Sequence, residues 1–295
     1  MKRLAIITAL ALATAAPSFA QESPTLKKIK ETGVINLGHR ESSIPFSYYD
    51  DKQQVIGYSH EMMLKAVEAV KEGLKLAKID TKLMPITSAN RITLVQNGTI
   101  DIECGSTTNN TERQKQVSFS TTIFVIGTRL MTKKDSGIKD FDDLKGKNVV
   151  TTAGTTSERL LRKMNEDKKM EMNIISAKDH GESFLTLETG RAVAFMMDDA
   201  LLYGEMAKAK NAKDWVVTGT AQSKEAYGCM VRKDDPEFKK VVDAALTKVE
   251  TSGEAEKIYA KWFMNPIPPK GLNLAMPLSD EMKALYKAPT DKAFE

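Results

Sequence analysis

Cysteine is almost absent from this chain of 295 residues, aromatic residues make up only 6% of it, and no charge of one sign dominates. The two cysteines, Cys104 and Cys229, have a spacing that fits no metal motif. No cluster of lysine and arginine is interleaved with aromatics, which argues against nucleic acid as a partner. No apolar run reaches the roughly 20 residues needed to span hydrocarbon. The longest, Leu4 to Ala16, falls short, so the sequence encodes no transmembrane helix and no direct membrane insertion. Internal repeats and low-complexity tracts are missing too. What remains is 41% hydrophobic and 28% charged, the make-up of a globular protein rather than a disordered, collagen-like or coiled-coil one. At roughly 100–200 residues per domain, the length allows one large domain or two modest ones.

The short apolar run has a reading of its own. Lys2 and Arg3 precede it, and Ser18-Phe19-Ala20 follows with small residues at the two positions a signal peptidase reads. Residues 1–20 therefore read as a secretory signal, the alternative being a short buried helix, and the mature chain is expected in the periplasm. Without Lys2 and Arg3 the basic residues fall from 43 to 41 against 39 acidic ones, so the net charge drops from +4 to +2. In an exported chain Cys104 and Cys229 suggest one disulfide, with a buried free thiol or a nucleophile as the alternatives.

From Ser23 onward, helix-period and strand-like segments alternate, the signature of an α/β fold with helices on mostly parallel sheets. Ser23-Pro24 offers a cap and a first-turn proline, and Gly33 a stop. Val34 to Gly38 reads as a buried strand ending at His39-Arg40. Met63, Ala66, Val67 and Val70 repeat as one helix face. Lys82 to Pro85 is a strand, Ser88 a cap for a helix from Arg91 to Gln96, and Ile100 to Cys104 another strand. Ile123–Met131 and Tyr227–Val231 are apolar runs of strand length nearly a hundred residues apart. Between them lies a separate alternating set: strands at Val149–Thr152, Asn173–Ser176, Ala192–Met197 and Trp215–Thr218, with helices from Ser157, Ser183 and Asp199. This predicts a second lobe, residues 126–227, inserted into a first lobe made of 21–125 and 228–295. Hinge strands lie near 123–131 and 223–231, and a terminal strap runs from Pro266.

Arginines, hydroxyls and helix starts collect where strands end, the place where open α/β sheets bind ligands. Arg40 ends the first strand. Ser88 and Arg91 open a helix; Ser106, Thr108 and Arg113 follow a strand; Gly154-Thr155-Thr156 opens the helix after Val149–Thr152. Guanidinium forks and free helix N–H groups are anion sites, and three arginines so placed suggest a ligand with more than one anionic group. Asp198 closes an apolar strand and suits a ligand ammonium, with an N-cap role as its structural alternative. His180 lies after a strand and could donate to a carboxylate, or be a purely structural histidine.

Several segments resemble the polar amino-acid class of periplasmic solute-binding proteins. They are Thr108, Glu112-Arg113 and Phe119-Ser120, then Phe141-Asp142-Asp143-Leu144-Lys145-Gly146-Lys147, Gly154-Thr155-Thr156 and Gly253-Glu254-Ala255. Gly38 to Ser43, Glu103 to Asn110 and Ala177 to Gly181 are similar to the glutamate/aspartate-binding branch that serves ABC importers. The resemblance implies two lobes closing on a ligand around two strand crossings. It assigns Arg113 with Thr108 to the α-carboxylate, and Asp198 with Ser106 to the α-ammonium. Arg40, Ser88, Arg91 and His180 would clamp a side-chain carboxylate, with Thr156 added from the helix start of the inserted lobe. Cys104 and Cys229 match the family as well. The implied partners are L-glutamate or L-aspartate and the membrane permease subunits of an ABC importer. The protein is expected to act as a monomer, with no cofactor, metal or catalytic residue. Two competing readings remain: an enzyme like the cyclohexadienyl dehydratases that share the fold, and a receptor for glutamine or another neutral amino acid. The dehydratase would need a ring pocket, and the cations around Arg40 and Arg91 speak against the neutral ligand.

Overall fold

The structure is a computed structural model that describes residues 23–294, so the signal read at residues 1–20 lies outside the described residues. Ser23 caps the first helix, Pro24–Thr32, by accepting from Leu26 N–H, and Gly33 ends it in the left-handed region. The strand that follows, Val34–His39, pairs in parallel with Asp80–Pro85 on one side and Ile102–Glu103 on the other.

Two strands cross between the lobes. The first, Val117–Lys133, is longer than its apolar run suggested, and Lys224–Arg232 returns antiparallel to it. The return strand also pairs with Ile102–Glu103, which closes the first lobe's sheet. Beyond Gly127 the outgoing strand is flanked by Ala194–Asp198 and Trp215–Thr218, both antiparallel to it. Ala194–Asp198 then pairs in parallel with Asn148–Thr152, which pairs in parallel with Asn173–Ala177. Each lobe thus carries parallel strands, and the crossing strands supply the antiparallel part. The two lobes share one hydrogen-bonded path through the crossings.

The few aromatic residues are concentrated where the first lobe meets the hinge. Phe124 stacks on Phe263 with centroids 4.8 Å apart, Phe263 stacks on Tyr259 at 4.4 Å, and Phe46 meets Phe124 edge-on at 4.9 Å. Such pairs add about 0.5–1.5 kcal/mol each beyond area burial, so the outgoing strand is anchored just before it leaves the lobe. Tyr58 reinforces this by donating to the Ile123 carbonyl at 2.7 Å. Met196 and Met197 are buried core, as read from their strand.

The structure corrects several local expectations. Ser88 is not the cap of Arg91–Gln96. Asn90 holds that position without a capping bond, its Oδ1 taking Thr87 N–H instead, and the Ser88 hydroxyl is buried without a partner. The helix expected from Ser183 begins at His180, because Asp179 caps it through Glu182 N–H. The strand expected at Ile100–Cys104 narrows to Ile102–Glu103. The terminal strap holds a helix of its own, Asp280–Lys287, with Met282 and Tyr286 buried.

Candidate functional site

The space between the lobes is walled by residues that end strands or begin helices. From the first lobe come Arg40, just past Val34–His39, Ser88 and Arg91, the hydroxyls of Ser106 and Thr108, and Arg113 on the short helix Thr111–Gln114. The second lobe supplies Thr156, first residue of Thr156–Asp167, His180, first residue of His180–Glu188, and Asp198, last residue of its strand. Arg40, Arg91 and His180 are each 1% exposed.

The guanidinium groups are positioned by neutral partners. Arg91 donates through Nη1 to the Ser106 carbonyl at 2.9 Å and to Thr107 Oγ1 at 2.6 Å, and Thr107 donates to Glu103 Oε2 at 2.7 Å. Arg40 Nη1 reaches Ser106 Oγ at 3.4 Å. Its stem lies against Gly105, where a Cβ would stand 3.0 Å from Arg40 Cγ and 2.5 Å from Glu103 Oε1, so a side chain there would displace one or both. Arg113 Nη1 donates to the Thr108 carbonyl at 2.9 Å, and its Nη2 reaches across to the Gly154 carbonyl at 3.4 Å.

Arg40 Nη2, Arg91 Nε, His180 Nε2 and Ser88 Oγ are buried without a hydrogen-bond partner. An unmet buried polar group costs about 1–3 kcal/mol, more when charged, and these four sit on residues contributed by both lobes, as a ligand site requires. Burial, helped by the neighbouring Arg91, lowers the Arg40 guanidinium to about 10. Burial likewise brings Arg113 down to about 9. His180 is held neutral, pushed well below its ordinary value by burial and then by Arg40 and Arg91. Thr152 Oγ1 stands 2.9 Å from His180 Nδ1 and 2.8 Å from Ser183 Oγ. Ser183 Oγ donates in turn to the Asp179 carbonyl at 2.9 Å. All these charges ask for anions.

Acids gather on the opposite side. Asp198 Oδ1 accepts from Ser157 at 3.0 Å and from Thr128 at 3.3 Å, while Oδ2 accepts a very short bond from Tyr227. It occupies the N-cap position of the helix Asp199–Lys208, but its side chain makes no capping bond there. Burial first and the Glu225 carboxylate second raise it to about 7. Glu225, on the return crossing strand, accepts at Oε2 from Thr108 at 2.5 Å and from Thr156 at 2.7 Å, one hydroxyl from each lobe.

Contacts bring several of the residues expected from the sequence together, Arg40 and Arg91 both on Ser106 and Thr108 on Thr156, and they draw in Glu225, Tyr227, Thr107, Glu103, Thr128, Ser157 and Thr152, which the sequence reading missed. Glu225 is read there as an ordinary member of a hinge strand, and only the pairing of distant strands brings it to Thr108 and Thr156. The cysteine pair is bonded: Cys104 and Cys229 form a disulfide with Cα atoms 4.3 Å apart, tying the loop that carries Ser106 to the return strand. Among the described residues no group of side chains is arranged to hold a metal.

The sequence profile of the bacterial extracellular solute-binding proteins, family 3, matches residues 35–265. The L-glutamate/L-aspartate-binding protein of Pseudomonas aeruginosa is 68% identical over 293 residues, 99% of this chain and 96% of that protein. The glutamate/aspartate import solute-binding protein of Escherichia coli K12 is 63% identical over 290 residues, 98% of this chain and 96% of that one. Among solved structures, an ancestral arginine-binding protein bound to arginine matches with a TM-score of 0.70 at 29% identity, over 78% of this chain and 98% of its own. The cysteine-binding protein of Campylobacter jejuni matches with a TM-score of 0.70 at 25% identity, over 80% and 92%.

Proposed function

The chain belongs to family 3 of the bacterial extracellular solute-binding proteins, and from that premise we propose that it is a periplasmic receptor for L-glutamate and L-aspartate. It captures the amino acid by closing its lobes and delivers it to the membrane permease of an ABC importer. The observation that carries the acidic ligand is the buried pair Arg40 and Arg91 with the neutral His180 imidazole, whose Nη2, Nε and Nε2 atoms respectively have no protein partner, beside a third buried guanidinium, Arg113. Relatives 63–68% identical over nearly the whole chain are named as binding proteins for these two amino acids, which leaves the dehydratase alternative without support.

In this reading the first lobe is 21–125 with 228–295 and the second is 126–227. Residues 1–20 direct export. Arg113 with Thr108 takes the α-carboxylate, while Asp198 and Ser106 take the α-ammonium. Arg40, Ser88, Arg91 and His180 clamp the side-chain carboxylate, and Thr156 closes the ring from the second lobe. Ligand contacts drawn from both lobes favour the closed state over the open one, which is the differential affinity a population shift requires. Charge-assisted hydrogen bonds of this kind contribute about 1.5–3 kcal/mol each, enough to move such an equilibrium with two or three of them.

Small-angle X-ray scattering of the ligand-stripped mature protein tests this. Saturating glutamate should reduce the radius of gyration, and an equal concentration of glutamine should leave it unchanged. An unchanged radius with both acids would overturn capture by closure.

A further inference from the structure

The site holds more negative charge than one ammonium needs, and Glu225 is the excess. It is 8% exposed. Its Oε2 takes the Thr108 and Thr156 hydroxyls, and its Oε1 takes Ser223 at 2.9 Å and Thr128 at 3.5 Å. The hydroxyls of Thr108, Thr156 and Ser223 donate to it without adding charge, and the single proton of Thr128 is shared with Asp198. Arg40, Arg91 and Arg113 hydrogen-bond to hydroxyls and backbone carbonyls rather than to carboxylates. The Thr128 hydroxyl that reaches Glu225 also reaches Asp198. Two buried carboxylates therefore flank one hydroxyl, without a cation between them.

We infer that Glu225 is a second counter-charge for the ligand's α-ammonium, acting beside Asp198, and that this acidic pair makes the receptor select α-amino dicarboxylates over dicarboxylates that lack the amine. The inference rests on the acidic amino-acid reading above. Three buried guanidinium groups alone would accept any small dicarboxylate. Glutarate would bring two carboxylates to the arginines and place no cation beside Asp198 and Glu225. Glutamate places an ammonium there. Selectivity thus comes from a repulsive element as well as an attractive one. The position of Glu225 on the return strand lets Oε2 receive one hydroxyl from each side, Thr108 and Thr156.

Glu225→Gln separates charge from shape, since the amide oxygen still accepts from both threonines. Wild type, E225Q and E225D are titrated with L-glutamate, and glutarate is measured by displacement of bound glutamate at millimolar concentration. The expected result is glutamate binding weakened at least about tenfold in E225Q. Glutarate should be unaffected or tighter in E225Q, glutamate binding partly restored in E225D, and the unfolding temperature of ligand-free E225Q no lower than wild type. A glutamate affinity within a few-fold of wild type would overturn the inference. So would equal losses for glutamate and glutarate, or a weakened affinity explained by a lower unfolding temperature. Failure of the wild type to bind glutamate at all would instead overturn the functional reading itself.

Discussion

Gly154, in the turn before Thr156–Asp167, packs against Ala89 of the other lobe so closely that a Cβ on it would lie 2.6 Å from Ala89 Cα. Its backbone also sits at φ +77°, in the left-handed region that favours glycine. Backbone meets backbone at this point, so nothing flexible is available to yield. Gly204 repeats the arrangement, its absent Cβ standing 2.2 Å from the Ile44 carbonyl oxygen.

Gly154→Ala should therefore block full closure without touching any proposed ligand contact. Glutamate affinity is expected to fall by at least about tenfold, and scattering should show a liganded radius larger than that of wild type. Wild-type affinity and compaction would mean the lobes do not meet here in the bound state.

Arg40→Met removes a fully buried cation that already repels Arg91. The fold should hold, with an unchanged or higher unfolding temperature. Glutamate affinity should drop about 10- to 150-fold, the equivalent of about 1.5–3 kcal/mol for a lost charge-assisted bond. Glutamine binding should change much less. Calorimetry that finds both ligands equally weakened would contradict a role for Arg40 at the side-chain carboxylate.

Asp198 sets the proton balance. Its carboxyl is raised to about 7 by burial, then by Glu225 and Asp199, against the hydrogen bonds from Tyr227 and Ser157. Arg91 and Arg113 face the same space. An ammonium demands the charged form, so binding should release a proton near neutrality, and affinity should weaken as the pH falls below about 7. Titrations in buffers of different ionisation enthalpy measure that proton directly. Asp198→Asn should abolish the release along with most of the affinity. Proton uptake on binding would reverse the assignment.

Much of the site was legible because its chemistry follows position in an α/β sheet: Arg40 ends a strand, Arg113 follows one, and Thr156 opens a helix. The two crossings were legible as apolar runs interrupted by a self-contained alternating segment. Ser88 misled because a serine ahead of a helix reads as a cap, whereas its hydroxyl is buried without a partner and Asn90 takes the cap position. Glu225 and Thr107 gave no local signal. Both acquire meaning through contacts with residues distant in the chain or hidden in a loop, which strand pairing and loop packing decide.

The disulfide closes a separation of 125 residues. In the chain-entropy model such a link stabilises by on the order of 5 kcal/mol. Cys104→Ser with Cys229→Ser should lower the urea midpoint substantially, and reduction of the wild type should match it. The radius of gyration of the glutamate complex should stay as in the oxidised protein, since both cysteines are fully buried in the hydrophobic core. An unchanged midpoint would mean that the denatured chain is already constrained without the link.

The most direct test is isothermal titration of the ligand-stripped mature protein with L-glutamate, L-aspartate, L-glutamine and L-asparagine under identical conditions. One-to-one binding of the two acids at least about 100-fold tighter than their amides, a difference of about 2.8 kcal/mol, is the expected result. Amides bound as tightly as acids, or silence toward all four, would contradict recognition of a second carboxylate by Arg40, Arg91 and His180.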